Sequence, residues 1–212
     1  MTVPSRLDAA RLLLSLEPPA WSIRHACAVA DVAAWLAREI ERNGTPCDVA
    51  AVEAAALLHD VDKIPAGRML GLRHGDGSAA WLEAHGLGEL APLVRDHPVP
   101  RLADDADAAR LADASIEAKV VAYADKRAGQ RLESMDDRFG SWKRRYPSGP
   151  GEPALRGDDR PPSGKGWSDT VARRVVERAQ ALEREVCGLA GTDPRGVRRL
   201  RWSRRALREA AS

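Results

Sequence analysis

Apolar residues recur along most of the chain at spacings of three and four, the period of an amphipathic α-helix, rather than in the alternation typical of strands. The pattern therefore predicts an almost entirely α-helical protein. Breakers and caps divide it, with Pro18 and Pro19 ending the first helix, Asn43 and Gly44 ending the second and Asp48 capping the third. The predicted helices span residues 5–16, 21–42, 48–60, 77–85, 87–96 and 115–139, the last beginning at 114 or 115.

Composition changes sharply after Tyr146. Ten prolines and glycines fall between residues 147 and 166, which predicts a loop or linker without helical periodicity. Ser168 then caps a predicted amphipathic helix that continues to about Ala190, and an arginine-rich tail follows. We expect one main helical domain over 1–146, a Pro/Gly-rich linker over 147–167, and an appended C-terminal helix with its tail over 168–212.

Charge excludes some classes of partner. The 212 residues carry 33 basic and 31 acidic side chains, so the formal net charge is only +2 and no bulk field favours nucleic acid or a membrane surface. The tail does not change this, because only five of the 33 basic residues are lysines and arginine is the usual cation throughout the chain.

Cysteine usage and hydropathy bear on the compartment. Cys27, Cys47 and Cys187 form no CxxC pair, which indicates a reducing compartment rather than a disulfide framework or a zinc knuckle. No apolar run approaches the about 20 residues needed to cross a bilayer. The first residues also lack the basic and apolar regions of a secretory signal, so we expect a cytoplasmic protein.

Several polar residues fall on helix faces that point to the core. His25 shares a face with Val29, Val32 and Leu36, His59 with Val49, Val52 and Ala56, and Asp125 with Val121, Ala128 and Leu132. Asp60 directly follows His59 at its helix end. An unpartnered buried carboxylate is costly, whereas a divalent cation satisfies several such ligands together. The placement therefore favours a metal site.

Each of these residues, taken singly, is more often structural. A lone inward histidine is usually a hydrogen-bonded core residue, and Asp125 has Arg24 and Arg127 as alternative partners. The metal interpretation depends on the occurrence of all these inward histidines and aspartates in one chain. Imidazole with carboxylate, without cysteine, suits Fe, Mn, Zn, Co or Ni.

The order of these residues resembles a known family. His25, the adjacent pair His59 and Asp60, and Asp125 resemble the H…HD…D signature of the HD-domain metal-dependent phosphohydrolases, over about residues 20–140. The resemblance includes Lys63, three residues after the HD aspartate. It implies an all-α helical bundle, one or two divalent transition metal ions, and the four signature residues as ligands.

Two more histidines lie between Asp60 and Asp125. In two-metal HD proteins, histidines in this interval complete a second site, so the resemblance implies that His74 and His97 bind a second metal with Asp60 bridging. The order H, HD, H, H, D is similar to that of the subgroup that hydrolyses dinucleoside polyphosphates. The alternatives are a surface loop position for His74 and a helix C-cap for His97. His85 lies on no inward face, which predicts a plain helix-end residue.

The chemistry implied is hydrolysis at phosphorus by a metal-activated water, with two ions about 3.5–4 Å apart when both sites are used. The sequence contains no GxSxG elbow and no Walker A motif, which agrees with a mechanism that needs no side-chain nucleophile. We expect Asp60 and Lys63 to act in catalysis, the lysine by contacting a phosphate oxygen. Lys126 and Arg127 are further candidate cations, although a surface ion pair is favoured for Arg127.

The sequence thus predicts a phosphohydrolase that acts on a small phosphorylated substrate of nucleotide type, with a homodimer left open. The alternatives are a phosphodiesterase or nuclease on the same fold and a non-catalytic HD module that binds a nucleotide. Asp62 and Asp96 are candidates to orient a histidine or to help move a proton, with a helix-terminal charge as the alternative. Residues 131–146 mix aromatic and basic side chains, and packing of the aromatics on the core is favoured over covering the substrate.

Overall fold

The computed structural model describes residues 3–129, 132–145 and 167–198. Within these ranges the chain forms ten α-helices and no strand. The helices are α1 (Arg6–Ser15), α2 (Ala20–Arg42), α3 (Val49–Leu58), α4 (Asp76–Ala84), α5 (Ala91–Arg95), α6 (Asp105–Ala112), α7 (Ile116–Arg127), α8 (Met135–Arg145), α9 (Asp169–Leu189) and α10 (Pro194–Arg198). Four 3-10 turns connect them, at Val61–Lys63, Pro65–Gly67, Gly88–Leu90 and Val99–Ala103. The predicted all-α fold is confirmed.

Local sequence explains where most of these helices begin. Seven polar side chains accept a hydrogen bond from a backbone N–H in the first turn of the helix that follows, which satisfies a donor that the helix itself leaves unpaired. These caps are Ser5, Asp48, Asp104, Ser115, Ser134, Ser168 and Asp193. The predicted caps Asp48 and Ser168 are among them. Just beyond α2, Gly44 has a φ of +91°, a conformation that favours glycine.

The core forms where α2 and α7 pack against α3. From Ala51 to Leu58, every residue of α3 except Glu53 is buried. On α2, Val29, Val32 and Leu36 are fully buried on the face that also carries His25. Burying each such apolar side chain stabilises the fold by about 1.5–3 kcal/mol relative to exposure. The same packing brings the polar residues of these faces into the interior.

The single helix predicted over residues 115–139 is wrong. Helix α7 ends at Arg127, and Ala128 leaves the helical conformation with φ −114° and ψ 70° before α8 begins at Met135. Ala128 pairs with Leu132 in an isolated bridge across this reversal. Gly129 is a weak helix former, which lowers the free-energy cost of ending the helix here. The apolar period nevertheless continues past Gly129, so the pattern alone does not reveal the end of α7.

The pattern also missed α6 and the 3-10 turn at 99–103. Helix α6 buries Asp107 as well as Leu111, so it has no continuous apolar stripe to reveal it. The helix predicted over 87–96 is shorter in the structure, with a 3-10 turn at 88–90 followed by five residues of α5. Pro92 lacks a backbone N–H and is tolerated only at the start of that helix.

Helix α9 packs on the rest of the bundle. It buries Val175, Ala179, Leu182 and Val186, and it contacts α2, α7, α8 and the turn at 99–103. Its bounds match the helix predicted to begin after Ser168 and end near Ala190. Positions 147–166 and the tail after 198 lie outside the described residues, so the domain boundaries stay predictions. No helix in the described ranges is both long enough and apolar enough to cross a bilayer.

Candidate metal centre

The six side chains predicted as metal ligands come from five parts of the chain and meet at one place. One lies on α2, two at the end of α3, one before α4, one after α5 and one in the last turn of α7. In that order they are His25, His59, Asp60, His74, His97 and Asp125, and all six are buried.

His25, His59, Asp60 and Asp125 form the first of two groups. His25 Nε2 lies 3.1 Å from His59 Nε2, 3.4 Å from Asp60 Oδ2 and 3.2 Å from Asp125 Oδ1. His59 Nε2 lies 3.5 Å from Asp60 Oδ1 and 3.7 Å from Asp125 Oδ1. Each of the two Nε2 atoms therefore lies within 3.7 Å of both carboxylates, and His25, His59 and Asp60 are close enough to hold one ion.

Asp60, His74 and His97 form the second group. The Nε2 atoms of His74 and His97 lie 3.1 Å apart, and Asp60 Oδ1 lies 3.3 Å from the first and 3.2 Å from the second. Asp60 belongs to both groups, because its two oxygens lie between the two histidine pairs.

The Nδ1 atom of each of these histidines faces an oxygen that can only accept a hydrogen bond. His25 faces the carbonyl of Ala128 at 2.8 Å, His59 that of Ala56 at 2.7 Å and His97 that of Val94 at 2.6 Å. His74 faces Oδ1 of Asp62 at 2.9 Å. Each Nδ1 therefore carries a proton, and in a neutral ring the Nε2 lone pair points into the cluster.

This donor arrangement fits a divalent metal ion. With both rings neutral, the two Nε2 lone pairs of each histidine pair lie 3.1 Å apart beside buried carboxylates and repel one another unless a proton or a metal ion lies between them. The outer hydrogen bonds to Nδ1 are those that usually fix metal-binding histidines. The set is nitrogen and oxygen without thiolate, which suits a transition metal of intermediate softness.

The pKa shifts follow the same electrostatics. Burial alone lowers the pKa of His25, but the hydrogen bonds and charges of Asp125 and Asp60 outweigh it and raise the pKa to about 9. Burial lowers the pKa of His97 to about 4, against the hydrogen bond of Asp60. Burial raises the pKa values of Asp60 and Asp125, but the surrounding histidines, together with Lys63 at Asp60, hold both well below their usual range.

Asp62 holds His74 in place and also caps α4. Its Oδ2 accepts hydrogen bonds from the backbone N–H of Gly75 at 2.9 Å and of Ser78 at 3.1 Å, while Oδ1 faces His74. Gly75 has a φ of +87°, and a Cβ there would lie 2.2 Å from the carbonyl oxygen of Arg95. The expectation that Asp62 orients a histidine agrees with this geometry.

A buried ion network behind His74 escaped the sequence analysis. Arg101 is only 3% exposed and donates to the carbonyl of His74 at 2.8 Å, to Asp76 at 2.8 Å and to Asp107 at 3.2 Å. Asp107 also accepts from Arg73 and Arg110. The three aspartates between Arg101 and Arg110 were the one available signal, and this pattern resembles an ordinary solvated helix face.

The candidate cations differ in position. Lys63 is one-third exposed, and its Nζ lies 3.1 Å from Asp60 Oδ1 and 3.2 Å from Asp60 Oδ2. The expectation that Lys126 contacts a phosphate is wrong for the structure, because Lys126 is fully buried and donates to the carbonyls of His97 and Ala122 at 2.8 and 3.1 Å. Arg127 is ion-paired as expected, but it is 1% exposed rather than on the surface.

The remaining candidates lie outside the cluster. Asp96 accepts two hydrogen bonds from Arg110, at 2.6 and 2.7 Å, instead of orienting a histidine. His85 caps the end of α4 and stacks on Trp81, as expected of a helix-end residue. Phe139 of α8 is buried, which agrees with the packing interpretation of this segment. Arg131, Tyr146 and the side chain of Trp142 lie outside the described part of the chain.

An all-helical bundle with a buried cluster of histidines and aspartates defines a class of metal-binding helical domains. A family model described as the HD domain matches residues 22–129, and the chain belongs to this family. HD domains are usually metal-dependent hydrolases. No curated protein and no solved structure gave a significant match. The matched segment contains all six clustered residues and ends just after α7, so α8 and α9 lie beyond it.

Proposed function

We propose that this protein is a two-metal phosphohydrolase that cleaves a phosphoester or phosphoanhydride of a nucleotide-type substrate. The observation that carries the proposal is Asp60, whose carboxylate lies between one histidine pair, His25 and His59, and another, His74 and His97. A carboxylate shared by two sets of nitrogen ligands is an arrangement that can hold a pair of metal ions side by side.

The six clustered side chains divide between the two proposed ions. His25, His59, Asp60 and Asp125 hold one ion, and Asp60, His74 and His97 hold the second. When bound, these ions polarise phosphoryl oxygens and make water a nucleophile at neutral pH. The donor set favours Mn, Fe, Co, Ni or Zn over Mg or Ca, which prefer oxygen ligands.

Lys63 supplies a positive charge at the edge of the cluster. The 3-10 turn after Asp60 brings the ammonium back beside that carboxylate, and one-third of the side chain is exposed. An exposed ammonium in this position orients Asp60 and attracts the phosphate of an incoming substrate. The buried aspartates and histidines, by contrast, are placed to bind ions and not to enclose the organic part of a substrate.

Metal removal and replacement test the proposal. The chelated protein is assayed with Mn²⁺ or Fe²⁺ restored, on p-nitrophenyl phosphate, its bis ester and a panel of nucleotides. We expect hydrolysis only with metal, and loss of hydrolysis to background in Asp60→Ala and Asp125→Ala with helical circular dichroism retained. Asp113→Ala, which changes an exposed aspartate at the end of α6, is the control that keeps full activity.

The alternatives predict other results in the same assay. Preferential cleavage of the bis ester indicates a phosphodiesterase or nuclease. Metal binding without turnover of any phosphoester contradicts the hydrolase and indicates a non-catalytic nucleotide-binding module. Failure to bind metal at all contradicts the metal centre itself.

A further inference from the structure

The end of α7 connects the metal centre to α9, a helix that lies beyond the matched HD segment. Three of the four residues 125–128 contact histidines of the cluster or their backbone. Asp125 faces His25, Lys126 donates to the carbonyl of His97, and the carbonyl of Ala128 accepts from His25. Arg127, between them, faces the opposite way.

Helix geometry explains this division. Residues two apart point to nearly opposite sides of an α-helix, so Asp125 and Arg127 cannot face the same neighbour. The Arg127 guanidinium donates to Glu183 of α9 at 2.9 Å and to the carbonyl of Pro194 at 3.0 Å. Its Nε donates to the carbonyl of Glu133 at 2.6 Å, just past the chain reversal. One buried side chain therefore joins α7, α9, α10 and the segment leading into α8.

Glu183 is the charged partner in this arrangement. Its carboxylate accepts hydrogen bonds from Arg127 at 2.9 Å and from the hydroxyl of Tyr123 at 2.8 Å. Tyr123 lies one turn before Arg127 on α7. The Arg127 side chain is 2% exposed, so its charge depends on this carboxylate for compensation. A planar guanidinium held at several corners fixes the rotation of the helix end more tightly than a single contact does.

We propose that Arg127 and Glu183 are positioning residues of the metal centre, through which α9 sets the orientation of the α7 end that carries Asp125 and the Ala128 carbonyl. The inference rests on the proposed metal centre and adds that a helix outside the matched HD segment is part of its support. Neither residue touches the cluster. Their effect reaches it through Asp125, which is a proposed ligand, and through the hydrogen bond that orients His25.

Cobalt binding by the full chain is the first test, with Glu183→Gln compared with Glu185→Gln. Glu185 lies on the same helix and pairs with Lys119 at 2.6 Å, so its change also removes an interhelical ion pair but leaves Arg127 untouched. We expect Glu183→Gln to weaken Co²⁺ binding about 10-fold, the low end for residues that support metal ligands, and to alter the visible d–d spectrum of the bound ion. Glu185→Gln keeps the wild-type affinity and spectrum.

A metal-free measurement gives a second readout. In the chelated wild type, the Nδ1 proton of His25 is held by Ala128, and we expect a slowly exchanging ring N–H signal in nitrogen-15 NMR spectra. That signal is lost or broadened in Glu183→Gln and is retained in Glu185→Gln. If Glu183→Gln does not fold, Arg127→Lys, which keeps the charge but not the guanidinium fork, takes its place in both experiments.

The outcomes separate the two proposals. Wild-type protein that binds no Co²⁺ overturns the metal centre and, with it, this inference. Wild-type protein that binds Co²⁺, together with a Glu183 variant whose affinity, spectrum and His25 signal all match those of the Glu185 variant, overturns only the positioning role. Partial recovery of affinity in Glu183→Asp, which restores the charge on a shorter side chain, supports it.

Discussion

His74 and Asp62 are joined by a hydrogen bond in which His74 Nδ1 donates to Asp62 Oδ1 at 2.9 Å. The other carboxylate oxygen is held by two backbone amides at the start of α4. Burial raises the pKa of Asp62, but the hydrogen bond and charge of His74 outweigh it, so the pKa is lowered and the group is an anion at neutral pH. The pair therefore presents the Nε2 atom of His74 to the cluster in a fixed direction.

Replacing this carboxylate by an amide weakens the second group of ligands. In Asp62→Asn the neutral side chain no longer strengthens His74 as a ligand, and we expect metal affinity at that site to fall about 10- to 100-fold. Isothermal titration with Mn²⁺ measures the two sites. Affinity unchanged relative to Asp113→Asn contradicts this role for Asp62.

The metal stoichiometry depends on His74 if two ions bind. His74→Ala removes one of three ligands around the second point, so the metal content of the purified protein should fall by about one ion per chain. His85→Ala is the matched control, since His85 lies at the end of α4 and stacks on Trp81 outside the cluster. Elemental analysis of both variants decides the matter, and equal metal content in the two excludes His74 as a ligand.

Lys63 and Lys126 should respond differently to the same substitution. Lys63→Met removes an exposed charge-assisted contact to phosphate, so we expect KM for a phosphorylated substrate to rise about 10-fold with little change in thermal stability. Lys126→Met removes the buried ammonium that donates to the carbonyls of His97 and Ala122, and we expect it to lower the free energy of unfolding by about 1–3 kcal/mol. Steady-state kinetics and urea denaturation measure the two effects. Loss of stability in Lys63→Met, together with a rise in KM but no loss of stability in Lys126→Met, contradicts the roles given to both lysines.

Asp107 should make stability depend on pH in the acid range. Burial raises its pKa, but hydrogen bonds from Arg110 and Arg73 outweigh burial and lower the pKa. A lowered folded-state pKa means that the carboxylate stabilises fully above its unfolded value of about 3.9 and that this contribution is lost as pH falls through the folded value.

Asp107→Asn therefore should cost about 3 kcal/mol at pH 7, because Arg101 loses a buried partner, and the difference from wild type should shrink below pH 4. Urea unfolding of both proteins between pH 7 and pH 3 gives the comparison. A difference that stays constant over this range contradicts the role of the Asp107 charge.

Much of the site was predictable, because helical periodicity places side chains on faces. The period alone turned His25 and Asp125 inward, and the order of His59, Asp60, His74 and His97 matched a family signature. The helix caps Asp48 and Ser168 were also predictable, since capping depends on residues only a few positions apart. These features depend on local interactions.

Features that depend on distant partners were not predictable. Lys126 and Arg127 have the same charge in sequence, yet one is turned to the His97 loop and the other to Glu183, 56 positions away. The break after Arg127 was missed because its stabilising contacts form only in the folded chain. The carbonyl of Glu133 reaches Arg127 only after the chain reverses, and the carbonyl of Pro194 lies far outside the predicted helix.

The amino-acid sequence by itself determined the helical class, the inward direction of the signature residues and the chemistry of their side chains, because each follows from composition or from spacing within one helix. Only the tertiary structure decided that four Nε2 atoms converge on Asp60 and that α9 reaches the end of α7. Those relations require packing between segments far apart in the chain, and the energy of that packing is not encoded in any single stretch.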